Sequence, residues 1–218
     1  ETAPILSLRN FKKPRKGCVG EVLPCCEIKI VAESHGQIVS SEPLPPGKKG
    51  LILARGDQIM KGYFNRPDLT EQIIDKDGWL HSGDICMRTA DGYYKVTGRL
   101  KDMIIRGGEN LYPREIEEFY LTNDKVSDVQ VIGVPDKQYG EEIMACIILK
   151  QGESVTKEAM TEYIKSHMAR HKVPSYIEFV DAFPMNAAGK VLKYKMREDA
   201  ARRYNLVGDG ADTAGPGK

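Results

Sequence analysis

Four segments of the sequence combine small and charged residues in patterns that can bind a ligand. They are residues 77–84 (DGWLHSGD), 98–117 (GRLKDMIIRGGENLYPREIE), 134–142 (VPDKQYGEE) and 184–193 (PMNAAGKVLK). In the first segment, Asp84 follows a Ser-Gly pair that predicts a turn. Its two carboxylate oxygens can accept hydrogen bonds from a vicinal diol such as ribose. An Asx-turn or a helix cap explains the same residues without a ligand.

The second segment carries basic groups at both ends of a short apolar strand predicted over residues 103–106. Arg99 can bind an anion or a ribose, although an arginine at the start of a strand is also typical of a surface ion pair. Gly107 and Gly108 can let a ligand approach the backbone, or can form a simple turn before the helix that begins at Pro113. The third segment, taken alone, is a polar connector between two apolar strands.

In the fourth segment a lysine follows a loop of small residues that we expect to be mobile. Lys190 is therefore suited to neutralising phosphate or carboxylate charge as a point cation. It is also the first of a cluster of basic residues, and that cluster by itself fits the solvated face of a helix. The cluster consists of Lys190, Lys193, Lys195 and Arg197.

The sequence does not support three more specific kinds of site. No Gly-x-x-x-x-Gly-Lys-Ser/Thr motif is present, which excludes the P-loop of the common NTPases. His167 and His171 are four residues apart on a predicted helix, but Met168 stands where a zinc protease would carry its glutamate, so surface histidines are favoured. The five cysteines contain no pair separated by two residues, and no zinc site is predicted.

Composition restricts the partners of the chain. Its 218 residues are 41% hydrophobic, and 32 basic against 31 acidic residues leave a net charge of +1. A general affinity for nucleic acid or an anionic membrane is therefore not expected. No apolar run approaches the roughly 20 residues of a spanning helix. The odd, irregularly spaced cysteines favour a reducing, intracellular compartment, either cytoplasm or mitochondrion.

The pattern of elements predicts an α+β fold with two domains. Residues 1–100 are strand-rich, with strands expected over 27–31, 50–53 and 93–96, a helix from Pro67, and an exposed loop over 40–49. Residues 101–207 alternate strands and helices, which is typical of a small mixed α/β domain. The predicted strands there are 103–106, 129–134, 144–149 and 177–180, and the predicted helices begin at 113, 156 and 193. Residues 208–218 are expected to be a disordered tail.

Taken together and in this order, these segments resemble the carboxyl-terminal part of the adenylate-forming (AMP-binding) superfamily. The motif IMKGYF at residues 59–64 joins the first, second and fourth segments at family-like separations. The motif GGENLYP, followed by Val-Pro-Asp and Gly-Glu-Glu, most resembles that of medium- and long-chain fatty acyl-CoA synthetases. The resemblance runs from Glu1 to about Leu206. It implies a strand-rich subdomain of the large adenylation domain, followed by a small mobile domain.

The resemblance implies an ATP-dependent reaction in two steps. A fatty acid attacks the α-phosphate of ATP, giving acyl-AMP and pyrophosphate, and the thiol of CoA then takes the acyl group. Asp84 and Arg99 match the residues that hold the ribose hydroxyls. Lys190 matches the catalytic lysine that bridges the substrate carboxylate and the α-phosphate. Glu1 matches the glutamate of a motif that helps to hold Mg²⁺.

The resemblance also assigns roles in the second step and indicates what the chain lacks. Lys101 falls at the hinge of the small domain, and Gly107, Gly108 and Glu109 fall along the passage for CoA. The phosphate loop and most of the acyl pocket match nothing here, and the chain has no initiator Met or targeting pattern, so we expect a fragment or processed chain that lacks the amino-terminal portion of the same enzyme. Two alternatives remain open: transfer to an acyl carrier protein, and a non-catalytic binding module.

Two departures from the family pattern alter these expectations. Ala187 and Ala188 stand where relatives carry hydroxyl residues before Gly-Lys, so the loop of Lys190 loses those hydroxyls. Ile105 stands where light-emitting relatives carry lysine, which argues against their oxidative second step.

Overall fold

The structure is a computed structural model that describes residue 2, residues 7–8, 15, 17–34 and 37–206. The chain divides into two compact units, Glu1–Lys101 and Asp102–Lys218. The boundary expected from the sequence, between residues 100 and 101, lies one residue from this division. Glu1 and the tail predicted over 208–218 lie outside the described residues.

The first unit is built on an antiparallel five-stranded sheet with the strand order β4-β3-β5-β6-β7. Its elements are β1 (Ser7–Leu8), β2 (Glu21–Val22), β3 (Cys26–Ser34), β4 (Gln37–Pro43), β5 (Lys49–Gly56), α1 (Pro67–Ile73), β6 (Leu80–Arg88) and β7 (Tyr94–Arg99). The pair β1-β2 forms a separate small ladder. The core of the main sheet is apolar because alternate residues of its strands point to one face. It buries Ile30, Ile52, Cys86 and Tyr94.

The loop expected over residues 40–49 is wrong in its first part. Residues 40–43 are the end of β4, an edge strand whose residues are almost all exposed. Polar side chains and a proline are tolerated there because one side of an edge strand has no hydrogen-bonding neighbour. Composition alone therefore predicted a loop where the structure has an edge strand.

The second unit is a mixed sheet with helices on both faces. Its elements are a 3₁₀ turn (Leu100–Asp102) that begins in the first unit, β8 (Ile104–Arg106), β9 (Glu109–Leu111), α2 (Pro113–Tyr120), β10 (Val126–Asp136), β11 (Gly140–Leu149), α3 (Lys157–Lys165), a 3₁₀ turn (Arg170–Lys172), β12 (Tyr176–Phe179) and α4 (Lys193–Arg203). β10 pairs antiparallel with one side of β11. β12 and β8 share the other side of β11. The α+β fold class expected from the sequence is confirmed.

The long pair β10-β11 separates two hydrophobic clusters according to residue parity. Successive side chains of a strand point to opposite faces, so odd and even positions enter different clusters from Asp128 onward. Val126 joins the odd cluster because the register shifts between it and Asp128. The odd face packs against α2 and α3 and includes Val129, Val131, Ile143, Ala145, Ile147, Ile116, Tyr120, Met160 and Ile164. The even face packs against α4 and includes Ile132, Val134, Met144, Cys146, Met196 and Ala200. Both faces of this sheet are therefore covered.

Two short segments of the second unit differ from the expectation. The polar connector expected over 134–142 is mostly strand, because β10 and β11 continue to a turn of three residues. In that turn Asp136 Oδ1 accepts hydrogen bonds from the backbone N–H groups of Gln138 (2.9 Å) and Tyr139 (2.8 Å). The glycine pair Gly107-Gly108 leads into the strand β9 and not directly into a helix. A polar strand of three residues has too few positions to show a period.

No helix of the described residues is long and apolar enough to cross a membrane.

We expect Tyr120→Phe to increase the free energy of unfolding by about 1 kcal/mol, because a buried hydroxyl without a partner is destabilising. Tyr120 is fully buried, and its hydroxyl has no hydrogen-bond partner among the described residues. Urea denaturation followed by circular dichroism measures the change. Tyr163→Phe is the control. It should lower the free energy of unfolding, because it removes a 2.8 Å hydrogen bond between Tyr163 and Thr122. A loss of stability in Tyr120→Phe would instead show that a buried water satisfies the hydroxyl.

Candidate functional site

Asp84 lies in a β-bulge of β6. Leu51 faces Ile85 and Leu53 faces His81, so a single residue of β5 between them is opposed by three residues of β6. The bulge is held by the Ser82 hydroxyl, which donates to the Ile52 carbonyl and accepts from the Asp84 N–H, both at 3.1 Å. The Ser82 bond to the Asp84 N–H closes a local turn around Gly83 (φ +74°), so the predicted Ser-Gly turn is present within the strand. The Asx-turn or helix cap considered for Asp84 is wrong, because its carboxylate bonds to Arg99. A bulge redirects a side chain out of the regular ladder, and here it redirects the carboxylate.

Arg99 faces Asp84 on the neighbouring strand β7. Its Nε donates to Asp84 Oδ1 at 2.8 Å, and the side chains are 44% and 27% exposed, respectively. The surface ion pair considered for Arg99 is thus present. Among the described residues the other carboxylate oxygen of Asp84 has no hydrogen-bond partner. The pair therefore presents a solvent-accessible acceptor and guanidinium donors side by side, which fits a vicinal diol.

The residues just before the bulge are anchored by Asp75, which sequence analysis did not single out. Its Oδ1 accepts from the N–H groups of Asp77 (3.0 Å) and Trp79 (2.9 Å), and Oδ2 lies 3.3 Å from His81 Nε2. Burial opposes ionisation, but these hydrogen bonds prevail and lower the pKa of Asp75. Lys29 stacks on the Trp79 ring at 4.3 Å. An Asp-x-Asp-Gly signal for an Asx-turn was visible in the sequence at this position.

Gly107 and Gly108 form the turn between β8 and β9. Their φ angles are +58° and +83°, the pattern of a type I′ turn. The Gly107 N–H donates to the Tyr139 carbonyl at 2.9 Å. A Cβ on Gly108 would meet no atom within 4 Å, so the space beside this residue is open. The turn interpretation is therefore correct, and the open space leaves room for a ligand to approach the backbone.

The other two residues assigned by resemblance to the hinge and the CoA passage lie close to this turn in sequence. Glu109, the first residue of β9, has its carboxylate 3.5 Å from His171 Nε2. Lys101 is exposed in the 3₁₀ turn Leu100–Asp102. Asp102, the next residue, accepts from Arg197 Nη2 of α4 at 3.2 Å. The residue that follows Lys101 is thereby bonded to α4.

Lys190 lies in a hydrogen-bonded hairpin, in the segment where a mobile loop of small residues was expected. Asn186 Oδ1 accepts from the N–H groups of Ala188 (3.0 Å) and Lys190 (2.9 Å), and the Asn186 N–H donates to the Lys190 carbonyl at 3.0 Å. Met185 and Val191 form a bridge below the turn. Asn186 therefore organises the turn that contains Ala187 and Ala188.

The basic cluster that follows Lys190 is only partly a solvated face. Lys193 Nζ donates to Glu117 Oε1 at 2.6 Å, and these side chains are 15% and 16% exposed. Arg197 is bonded to Asp102, so for these two basic residues the solvated face is wrong. Lys190 and Lys195 are exposed, and among the described residues neither side chain has an ion-pair partner. A lysine without a carboxylate partner keeps its charge available for a ligand.

The two histidines considered for zinc have different surroundings. His167 packs against Phe119 with ring centroids 5.3 Å apart, and its Nδ1 lies 2.7 Å from the Ser166 hydroxyl. His171 faces Glu109 instead. In the described part of the chain no group of three or more His, Cys, Asp or Glu side chains could hold a metal ion. Glu1, assigned to Mg²⁺ by resemblance, lies outside the described residues.

Comparison with known proteins shows the class to which this geometry belongs. Residues 1–64 match the AMP-binding enzyme family, and residues 115–190 match the AMP-binding enzyme C-terminal domain. ATP-bound MatB from Rhodopseudomonas palustris has the same fold, with a TM-score of 0.81 and 31% identity, over 88% of this chain and 37% of MatB. The fold and both domains are thus those of adenylate-forming enzymes, as the resemblance indicated.

Two curated relatives narrow the class. YngI, an acyl-CoA synthetase homologue of Bacillus subtilis (strain 168), is 49% identical over 86% of this chain and 33% of its own length. The mitochondrial medium-chain acyl-CoA ligase ACSF2 of Homo sapiens is 42% identical over 86% of this chain and 30% of its own length. The chain belongs to the adenylate-forming, AMP-binding enzyme family, and these two relatives bear the names of acyl-CoA synthetases or ligases. It spans about a third of the length of the curated relatives it matches.

We expect Asn186→Ala to loosen the hairpin of Lys190, because the two hydrogen bonds accepted by Asn186 Oδ1 are lost. Heteronuclear ¹⁵N relaxation of the 218-residue chain should show lower order parameters for residues 187–190, below the roughly 0.85 of rigid backbone. Asn186→Asp is the matched control, because a carboxylate oxygen accepts the same two bonds. Equal order parameters in both variants would mean that the Met185–Val191 bridge alone maintains the turn.

Proposed function

We propose that this chain is the carboxyl-terminal part of an AMP-forming fatty acyl-CoA synthetase. The first unit is a piece of the large adenylation domain, and the second unit is the small domain that rotates about Lys101. The observation that carries the proposal is the Asp84–Arg99 pair, which the bulge of β6 exposes in a form that fits a ribose diol. Because the chain spans a third of its relatives, we assign the phosphate loop and most of the acyl pocket to an upstream portion.

In the first step, a carboxylate oxygen of the fatty acid attacks the α-phosphorus of ATP and pyrophosphate leaves. Asp84 accepts hydrogen bonds from the ribose hydroxyls, and Arg99 holds Asp84 and donates beside it. Lys190 places its ammonium between the acid and the α-phosphate, where negative charge accumulates in the transition state. Fixed positive charge at that point is a large electrostatic contribution to the rate. The hydrogen-bonded hairpin of Lys190 supports this role, because a backbone already held in one conformation needs less ordering on binding.

In the second step, the CoA thiol attacks the acyl carbonyl, AMP leaves, and the thiol proton is lost to solvent. We assign the passage of the thiol to the turn Gly107-Gly108 and to Glu109. The open space beside Gly108 supports this assignment. The pairing of Arg197 with Asp102 supports a pivot at Lys101, because backbone that follows Lys101 is held to α4.

The relatives support a fatty acid as the acid substrate. A medium-chain acyl-CoA ligase reaches 42% identity, whereas the structures of MenE, an o-succinylbenzoate-CoA synthetase, and of the anthranilate-CoA ligase AuaEII reach 35% and 29%. ATP would be used with Mg²⁺, and CoA is the acceptor we propose. An acyl carrier protein would present the same phosphopantetheine thiol, so the acceptor is decided by whether CoA or carrier protein stimulates AMP release. Five cysteines without a disulfide favour a reducing compartment.

We expect Lys190→Ala to lower fatty-acid-dependent ATP–pyrophosphate exchange by about 100-fold or more, because removing one electrostatic stabiliser of a transition state has effects of that size. The assay uses a chimera that joins the upstream two-thirds of YngI to this chain. Thioester formation from supplied acyl-adenylate should be affected less. Lys195→Ala, on the same basic stretch and also exposed, is the control and should keep the exchange rate. Exchange unchanged in Lys190→Ala would remove this residue from the proposed role.

A second test distinguishes two reasons for glycine at position 108: the positive φ of the turn and the open space for the CoA thiol. Gly108→Asn should fold, because asparagine tolerates positive φ, as Asn65 does at +53°. If a passage for the thiol is required, Gly108→Asn should lower thioester formation by about tenfold or more and leave ATP–pyrophosphate exchange unchanged, since only the second step uses the passage.

Gly152→Asn is the matched control for Gly108→Asn, because Gly152 has a φ of +82° and equally open surroundings. Full thioester formation in Gly108→Asn, together with a loss in Gly108→Ala, would show that position 108 needs only the turn.

A further inference from the structure

Cys25 and Cys26 bring two thiols together at the start of β3. Their sulfur atoms are 3.9 Å apart. Adjacent residues of a strand normally point to opposite faces, but Cys25 lies in the turn that precedes the strand, so both side chains reach the same region. Cys25 is exposed, and Cys26 is 9% exposed. Of the five cysteines, these are the two whose thiols are in contact in the structure.

Cys26 is held in place both at its sulfur and at its backbone. Gln58 Nε2 donates to Cys26 Sγ at 2.8 Å, and the Cys26 N–H donates to the Leu23 carbonyl at 2.9 Å. Cys26 also pairs with Gly56 across the ladder of β3 and β5. The contact between the two thiols is therefore built by the turn and the sheet and needs no rearrangement to form.

We propose that Cys25 and Cys26 form a chelating dithiol site for trivalent arsenicals. Thiol sulfur is a soft donor that prefers soft, thiophilic centres, and two donors on one turn bind such a centre bidentately. For an arsine oxide the reaction is R–As=O + 2 R′SH → R–As(SR′)₂ + H₂O. Two As–S bonds form, both As–O bonds break, and the two thiol protons leave with the oxygen as water. Arsenic and sulfur keep their oxidation states, so no oxidant or reductant is needed.

The different exposure of the two thiols sets the order of the steps. Cys25 adds first because the reagent reaches it from solvent, and Cys26 then closes the ring within the same molecule. Burial raises the pKa of Cys26, so this residue enters as a thiol and its proton leaves with the departing hydroxide. Adjacent cysteines are poorly placed to form a disulfide, which leaves the pair available to the arsenical. Ring closure acts as a second binding event at high effective concentration.

The test treats the 218-residue chain with one equivalent of phenylarsine oxide and measures the intact mass. We expect one adduct, with the mass of the reagent less one water. It should survive excess glutathione, a monothiol, and be removed by 1,2-ethanedithiol. Cys25→Ser and Cys26→Ser should each retain about 100-fold less adduct after the glutathione wash, because a single As–S bond is not supported by ring closure.

Cys18→Ser is the matched control, because Cys18 is half-buried and is not part of the pair. It should retain the adduct fully. Cys26→Ala provides a second variant if serine at the start of β3 disturbs folding, which circular dichroism detects. An adduct that persists in Cys25→Ser, or a folded chain that retains none after glutathione, would overturn the proposal.

Discussion

The ion pair between Lys193 and Glu117 connects the two helices that follow the candidate ligand-binding turns of the second unit. Glu117 lies on α2 and Lys193 on α4, and these helices cover opposite faces of the sheet. The pair meets at the outer side of β10, where Val131 N–H donates to Glu117 Oε1 at 2.9 Å and Lys193 Nζ donates to the Val131 carbonyl at 3.1 Å. It therefore satisfies backbone groups that an edge strand would otherwise expose.

This arrangement follows from the order of the strands. β10 lies at the end of the sheet and has β11 on one side only. The parity of β10 and β11 sends α2 and α3 to one face and α4 to the other, so α2 and α4 can meet only around the border of the sheet. A pair that is 15% and 16% exposed is less screened by solvent than an ordinary surface pair. Losing either partner would leave the other charge and the backbone of Val131 unsatisfied.

Periodicity in the sequence was sufficient for several long elements, but it did not predict β6, a strand of nine residues. β10, β11 and α3 each offer several apolar positions at the right spacing, and their existence and type were predicted correctly. The bulge at Asp84 was not, because it depends on the register between β6 and β5, which lies in no local pattern. The pairs Lys193–Glu117 and Arg197–Asp102 join residues 76 and 95 positions apart. Charge patterns along a helix cannot show such partners.

The same contrast applies to the candidate site: some of its residues can be found from the sequence, whereas others matter only through contacts in the structure. Resemblance to the adenylate-forming family singled out Asp84, Arg99, Gly108 and Lys190, because the family motifs carry these residue types at similar separations. Asn186 was passed over because its importance comes from two backbone bonds and not from its own reactivity. Resemblance to relatives directed attention to hydroxyls missing at 187 and 188, whereas the turn is organised by the amide that precedes them.

The basic residues after residue 184 form two groups, according to whether their side chains bind a carboxylate. Lys193 and Arg197 are bound to carboxylates and stabilise the second unit, whereas the Lys190 backbone is fixed by Asn186 and its ammonium is exposed. A fixed backbone with an uncommitted charge suits ligand binding, because little order must be gained and no internal ion pair must be broken. Lys195 is also exposed, but it lies within α4 and not on a turn. Of the four basic residues of this cluster, Lys190 is therefore the one that combines an exposed ammonium with a backbone held by a side-chain hydrogen bond.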